Sequence, residues 1–213
     1  MTNQTPNSLL PRHPVAALDL PLTTGERFVL GATPAERFDL LVFHRGLHCP
    51  LCAKYLIELE RLMPGFALRR VNVLAIRSDT KELGQEMARK GTININTNTN
   101  TNININININ ININTNTSGV RSAPSLSLKS AREWGPYTSA LRGKTSIGTE
   151  EPALFSEPAV YLVVYLVRPD GTLYCGAVPA MLSAQLAFAD LLDAIDFAIS
   201  QDHPARGAFT GAV

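Results

Sequence analysis

Apolar positions in the first half of the chain alternate between short dense runs and a helical stripe. FDLLVF, residues 38–43, and VNVLAI, residues 71–76, are nearly continuous apolar segments of the kind shown by strands buried on both faces. Between them, from Pro50, the residues Cys52, Tyr55, Leu56, Leu59, Leu62 and Met63 recur at intervals of three and four. That stripe predicts an amphipathic helix, stopping near Pro64-Gly65. Asp79 is placed to cap a further helix running through Lys90 and ended by Gly91. Upstream, VAALDLPLTTGERFVL reads as an extended segment with a hairpin turn at Thr24-Gly25. Downstream, AVYLVVYLV, residues 159–167, reads as a strand that turns at Pro169, Asp170 and Gly171 and returns through TLYCGAV. A last helix is expected from about Ser183 to Ser200, with Leu186, Phe188, Leu191, Leu192, Ile195 and Ile199 as its apolar residues. The order strand, helix, strand, helix predicts an α/β fold whose sheet contains parallel strands and is covered by helices.

Residues 92–119 break this order by alternating Asn with Ile or Thr at period two. As one strand the segment would reach roughly 80 Å, several times an ordinary strand, so it is no internal strand of a single domain. An extended β arm would put Ile on one face and Asn on the other. A low-complexity insertion is the reading that the absence of turn residues favours, because such alternation fixes pairing register poorly. The expected organisation is one domain over residues 14–205, interrupted by this insertion, with flexible termini at 1–13 and 206–213.

Composition narrows the class of function. With 213 residues, 45% of them hydrophobic, the chain can bury one substantial core. Nineteen Lys and Arg against 18 Asp and Glu leave a net charge of +1 and no local basic run, which argues against nucleic acid as a partner. No stretch of about 20 apolar residues is present to cross a membrane. The opening MTNQTPNSLLPRHP lacks the pattern of a signal peptide, so a cytoplasmic address is expected. Three cysteines do not make a disulfide framework, and in a reducing compartment a Cys-x-x-Cys spacing points to redox chemistry or metal.

That spacing occurs in FHRGLHCPLCAKYLIELERL, where a strand gives way to a helix. Cys49 falls at the N-cap, Pro50 at the first helical position and Cys52 in the first turn. Unpaired N–H groups and the positive end of the helix dipole favour thiolate over thiol there, lowering a cysteine pKa from about 8.5 by one to several units. Cys52 shares the apolar stripe and should be the more buried sulfur, close enough to Cys49 to attack a mixed disulfide. His48 and Arg45 can add positive charge. A zinc site from His44, His48, Cys49 and Cys52 is the alternative, lacking a second ligand pair from another segment. Cys175, in TLYCGAV, reads as a small packed residue, with a resolving role as the alternative. Trp134 and Tyr137 read as core or site-rim aromatics.

The strand, Cys-x-x-Cys and helix arrangement resembles the thioredoxin-like superfamily. LVFHRGLHCPLCAKYLIELE, VNVLAIRSDT, RGKTSIGTEEPALFSEP and LVRPDGTLY together are similar to peroxiredoxin-like proteins of the alkyl hydroperoxide reductase and thiol-specific antioxidant family. The resemblance covers most of residues 14–205 outside the Asn tract. The family's Pro-x-x-x-Thr-x-x-Cys signature, laid on this chain, puts Arg45 at the proline, Cys49 at the threonine and Cys52 at the peroxidatic cysteine. Two of those positions depart from the signature, and the Cys-x-x-Cys form suits thiol–disulfide exchange. Pro158 matches the cis-proline that faces the cysteines in thioredoxin-like folds. The resemblance implies an antioxidant thiol oxidoreductase working through Cys49 and Cys52, with His48, Arg45 and Pro158 in support. Its substrate would be a peroxide or a disulfide and its reductant an external dithiol of thioredoxin or glutathione type. No metal or organic cofactor is implied, and an oligomer is compatible with the family. A non-catalytic thioredoxin-like binding module is the alternative from another class.

Overall fold

The computed structural model describes residues 9–32, 34–45, 50–78, 120–139, 159–160, 162–181 and 184–207. The helix expected from Asp79, the Asn tract, His48, Cys49 and Pro158 lie outside the described residues.

The expected hairpin forms first. Strands β1 (Asp19–Pro21) and β2 (Arg27–Val29) pair antiparallel, and Gly25 takes φ +96° in the turn between them. Strand β3 (Phe38–His44) is followed by helix α1 (Pro50–Leu68) and strand β4 (Val71–Arg77). β3 and β4 pair in parallel from Phe38–Val71 to His44–Arg77, so α1 is the crossover and its first turn lies over the carboxyl ends of both strands. The helix passes Pro64 and ends at Leu68, one turn beyond the expected stop. Fully buried Phe66 anchors that extra turn, and Arg70, at φ +56°, redirects the chain into β4.

The second half of the chain departs more from the expectation. Strand β5 (Arg121–Ala123) and helix α2 (Leu128–Trp134) are short elements that the apolar pattern does not announce. The helix is capped at both ends: the Ser127 hydroxyl accepts from the Ser130 N–H at 3.0 Å, and Gly135 closes it at φ +79°. The run AVYLVVYLV is not one strand. It divides into β7 (Ala159–Val160), which pairs with β6 (Thr138–Ser139), and β8 (Val163–Val167), which joins the main sheet. After the turn, strand β9 (Leu173–Ala177) returns beside β8, and Asp170 accepts from both the N–H and the hydroxyl of Thr172. The backbone of Arg12, His13 and Val15 bonds along the same hairpin, to Leu173 and Gly171. Helix α3 (Phe188–Ser200) starts five residues later than expected. The carbonyl of Leu186 accepts from the Tyr55 hydroxyl instead of starting a helical ladder.

The main sheet has the order β5-β4-β3-β8-β9, with β5, β4 and β3 parallel and β8 and β9 antiparallel to their neighbours. Alternation along the strands sorts the core into two layers. Leu40, Val42, Val73, Ala75, Val164 and Leu166 face α1 and α3. Leu41, Phe43, Leu74, Ile76, Val163 and Tyr165 face α2 and the β1–β2 hairpin, around the fully buried Trp134. Each fully buried Leu or Phe in these layers contributes roughly 1.5–3 kcal/mol. Trp134 is thus a core residue, whereas Tyr137 is half exposed.

Candidate active site at the carboxyl edge of the sheet

β3 and β4 end side by side, and in open α/β sheets the crevice beyond the carboxyl ends of parallel strands is where ligands bind. β8 runs the other way, with Val163 opposite Phe43, so its first residues reach the same edge. α1 begins there. Its first turn carries no acidic side chain to offset the positive end of its dipole.

Cys52 occupies that first turn and is only 2% exposed, joined to the layer of Val42, Ala75, Tyr55 and Leu56. Burial of this sulfur follows the helical stripe in the sequence. Arg45, directly after β3, is partly buried at the same edge. His48, Cys49 and Pro158 fall outside the described residues, so of the five expected site residues the structure describes Cys52 and Arg45. Among the described residues no three His, Cys, Asp or Glu side chains gather as a metal site would require. Among them too, no helix is long and apolar enough to cross a membrane.

Two further polar groups stand at this edge, His44, read in the sequence only as a possible zinc ligand, and Arg77, which the sequence reading passed over. His44 and Arg77, the last residues of β3 and β4, are 2% and 3% exposed and stand opposite each other in the parallel register. Both continue the alternation whose preceding members, Val42 and Ala75, face α1. The signal that could have found Arg77 is a charge closing an apolar run that should be buried to its end.

Tyr55, one turn along α1, stacks on Phe188 with ring centroids 4.1 Å apart. Burial raises its pKa, so the phenol stays protonated and donates to Leu186. Cys175 is partly buried on β9, opposite Leu166. That register places it beside the middle of the sheet rather than the carboxyl edge, and burial pushes its thiol up to about 11. A neutral thiol packed in the sheet is what the sequence led us to expect.

Residues 11–130, more than half of the 213-residue chain, match the model of the AhpC/TSA family. A search of the curated proteins found no match. Solved structures do match. A Cys-to-Ser mutant of peroxiredoxin 6 of Arenicola marina superposes with a TM-score of 0.62 at 14% identity, over 89% of this chain and 73% of that one. Yeast mitochondrial 1-Cys peroxiredoxin gives 0.61 at 12%, over 96% and 84%. Peroxidoxin BcpB from Mycobacterium tuberculosis gives 0.57 at 17%, over 90% and 98%. At these identities the likeness shows the fold, which is the expected thioredoxin-like one: a mixed central sheet flanked by helices. The matched segment contains β3, α1, β4 and the buried Cys52, and on that evidence the chain belongs to the AhpC/TSA family, the family of thiol peroxidases.

Proposed function

We propose that the protein reduces peroxides through a Cys49/Cys52 couple and is returned to the dithiol form by an external reductant. The observation that carries this reading is the position of Cys52: buried in the first turn of α1, over the carboxyl ends of β3 and β4, inside the family-matched segment. A recessed sulfur suits a small oxidant. In the first step the Cys52 thiolate attacks one peroxide oxygen; the O–O bond breaks, an S–O bond forms, and the alcohol or water leaves after protonation. The sulfur is oxidised by two electrons to sulfenic acid. In the second step the Cys49 thiolate attacks that sulfur, the S–S bond forms and water leaves. An external dithiol then supplies two electrons and two protons by disulfide exchange.

With a bulky disulfide as substrate, access decides the order differently. Cys49, at the expected cap position, would be the nucleophile and Cys52 the sulfur that releases the mixed disulfide. The yeast neighbour's structure is described in relation to glutathione and thioredoxin systems. For this chain we propose a dithiol reductant of the thioredoxin kind, with His48, Arg45 and Pro158 supporting the couple in a cytoplasmic setting.

Single variants separate the two roles. Cys52→Ser should trap a stable mixed disulfide on Cys49 when treated with a disulfide substrate. Cys49→Ser treated with hydrogen peroxide should carry sulfenic acid on Cys52. Peptide mass spectrometry reads both outcomes, and sulfenic acid confined to Cys49 in the wild type would reverse the assignment for peroxide.

A further inference from the structure

Tyr55 joins the helix that carries Cys52 to the start of α3, and it uses both its ring and its hydroxyl to do so. The ring stacks on Phe188, the first residue of α3, with centroids 4.1 Å apart, and the hydroxyl donates to the carbonyl of Leu186. Phe188 is met edge-on from its other side of the layer by Phe66, near the far end of α1, at 6.3 Å between centroids. The start of α3 is thus held by α1 at two points, the first of them in the turn after Cys52. Cys52 lies in the same core layer as these three rings and is 2% exposed. We propose that Tyr55 is a positioning residue that keeps Cys52 recessed, so that small oxidants reach the sulfur directly and bulky reagents react only when the beginning of α1 comes away from α3. The inference rests on the reading of Cys52 as the sulfur that meets peroxide.

The start of α3 shows what this contact displaces. The apolar pattern begins the helix near Ser183, yet the helix runs from Phe188. Ala187 stands at its cap with no side-chain hydrogen bond, so a capping side chain does not fix the start there. The Leu191 N–H bonds to the Ala187 carbonyl at 3.1 Å, while the carbonyl one residue earlier, that of Leu186, accepts from Tyr55. Without the hydroxyl, the Leu186 carbonyl is left to the Asp190 N–H, its partner in a helix lengthened backwards through residues 184–187. One carbonyl with two competing donors gives α3 two alternative starts, and α1 is latched to α3 in one of them. Burial keeps the phenol protonated, and therefore a donor, at neutral pH. Local opening of a buried site is an equilibrium, and a reagent too large for the closed form is slowed by the fraction that is open. An aromatic pair and a hydrogen bond each shift such an equilibrium by about two- to tenfold.

The test uses the full-length chain with Cys49→Ser and Cys175→Ser, in which Cys52 is the single remaining thiol. Its rates with hydrogen peroxide and with a bulky aromatic disulfide, dithiobis(nitrobenzoate), are measured side by side. A change in the ionisation of the sulfur moves both rates together, whereas a change in access moves their ratio. Tyr55→Phe keeps the ring and loses the hydroxyl, and should raise the ratio of disulfide rate to peroxide rate by about tenfold. Phe188→Leu keeps the hydroxyl and loses the stack, and should raise it by about threefold. Amide hydrogen exchange on Tyr55→Phe, read by NMR, should slow at Asp190 by about tenfold as its N–H takes the released carbonyl. An unmoved ratio in a folded Tyr55→Phe overturns the proposal, as does exchange that quickens throughout α3 with no protection gained at Asp190. If Tyr55→Phe does not fold, Phe188→Leu decides: a raised ratio supports the proposal and an unmoved one overturns it. A raised ratio with peroxide reacting no faster than it does with free cysteine would leave the role of Tyr55 standing and remove the peroxidase reading. Fast peroxide reaction with an unmoved ratio would do the reverse.

Discussion

Identical side chains acquire different chemistry from their neighbours, and the two described cysteines illustrate it. Cys175 lies opposite Leu166 of β8 within the sheet; Cys52 lies in the first turn of α1, buried in the layer that this helix covers. Cys175→Ser should therefore leave the loss of thiols on peroxide treatment unchanged in rate and in the residues involved. A slowed second step in that variant, read by stopped-flow thiol counting, would give Cys175 a resolving role. Asp39, at the opposite end of β3, carries a pH effect unrelated to catalysis. Burial raises its pKa, against the smaller opposing effect of the Asn72 amide donating at 3.1 Å. A carboxyl with a raised folded pKa makes the native state bind more protons than the unfolded one, so its contribution to stability is fullest below the unfolded value and is lost as pH rises through the folded one. Asp39→Asn should flatten that part of the stability profile measured by urea unfolding across acidic pH. An unaltered slope would mean that the carboxylate is no harder to ionise in the fold. At this scale Cys52 was legible because its burial follows from helical spacing. Arg77 was not, because a strand's last residue is ordinarily expected to reach water.

Close approach between elements depends on two glycines. A methyl at Gly65 of α1 would stand 3.0 Å from Leu192 Cδ1 of α3, and one at Gly176 of β9 would stand 2.7 Å from Tyr165 Cδ1 of β8. Tyr165 has little room to yield. Its ring packs between Phe43 at 5.7 Å and Trp134 at 5.5 Å between centroids. Gly176→Ala should lower unfolding free energy by about 1–3 kcal/mol through overpacking, a loss that denaturant melts would show. A neutral result would mean that β9 shifts at its bulge to make space. Ser127→Ala removes the cap of α2 and should cost about 1 kcal/mol. Elements with a clear period were legible in the sequence: β3, the start of α1, β4, and the hairpin of β8 and β9. Elements held by pairing or capping were not. β5 has three residues and α2 seven, too few for either period to register. The apolar run at 159–167 hid a break because both of its pieces are β-prone, and periodicity says nothing about which sheet each piece joins.

At the level of the whole molecule, the described sheet, its covering helices and the cysteine site are contained in segments on either side of the Asn tract. β4 and β5 pair directly, Leu74 with Arg121 through Ile76 with Ala123, so the chain returns beside the strand it left. Deleting residues 93–116 should preserve cooperative unfolding and thiol reactivity, provided the residues before and after remain to join the two strands. Loss of folding in that deletion would make the tract part of the core. The central claim is that peroxide is reduced by a couple formed from Cys49 and Cys52. One measurement tests it most directly: counting thiols over time after one equivalent of hydrogen peroxide is added to the wild-type protein, with the products mapped by peptide mass spectrometry. The account predicts that, of the three thiols present, those of Cys49 and Cys52 disappear together much faster than free cysteine reacts, leaving one disulfide between them and Cys175 unmodified. Thiol loss no faster than that of free cysteine, or oxidation that leaves Cys52 untouched, would contradict it.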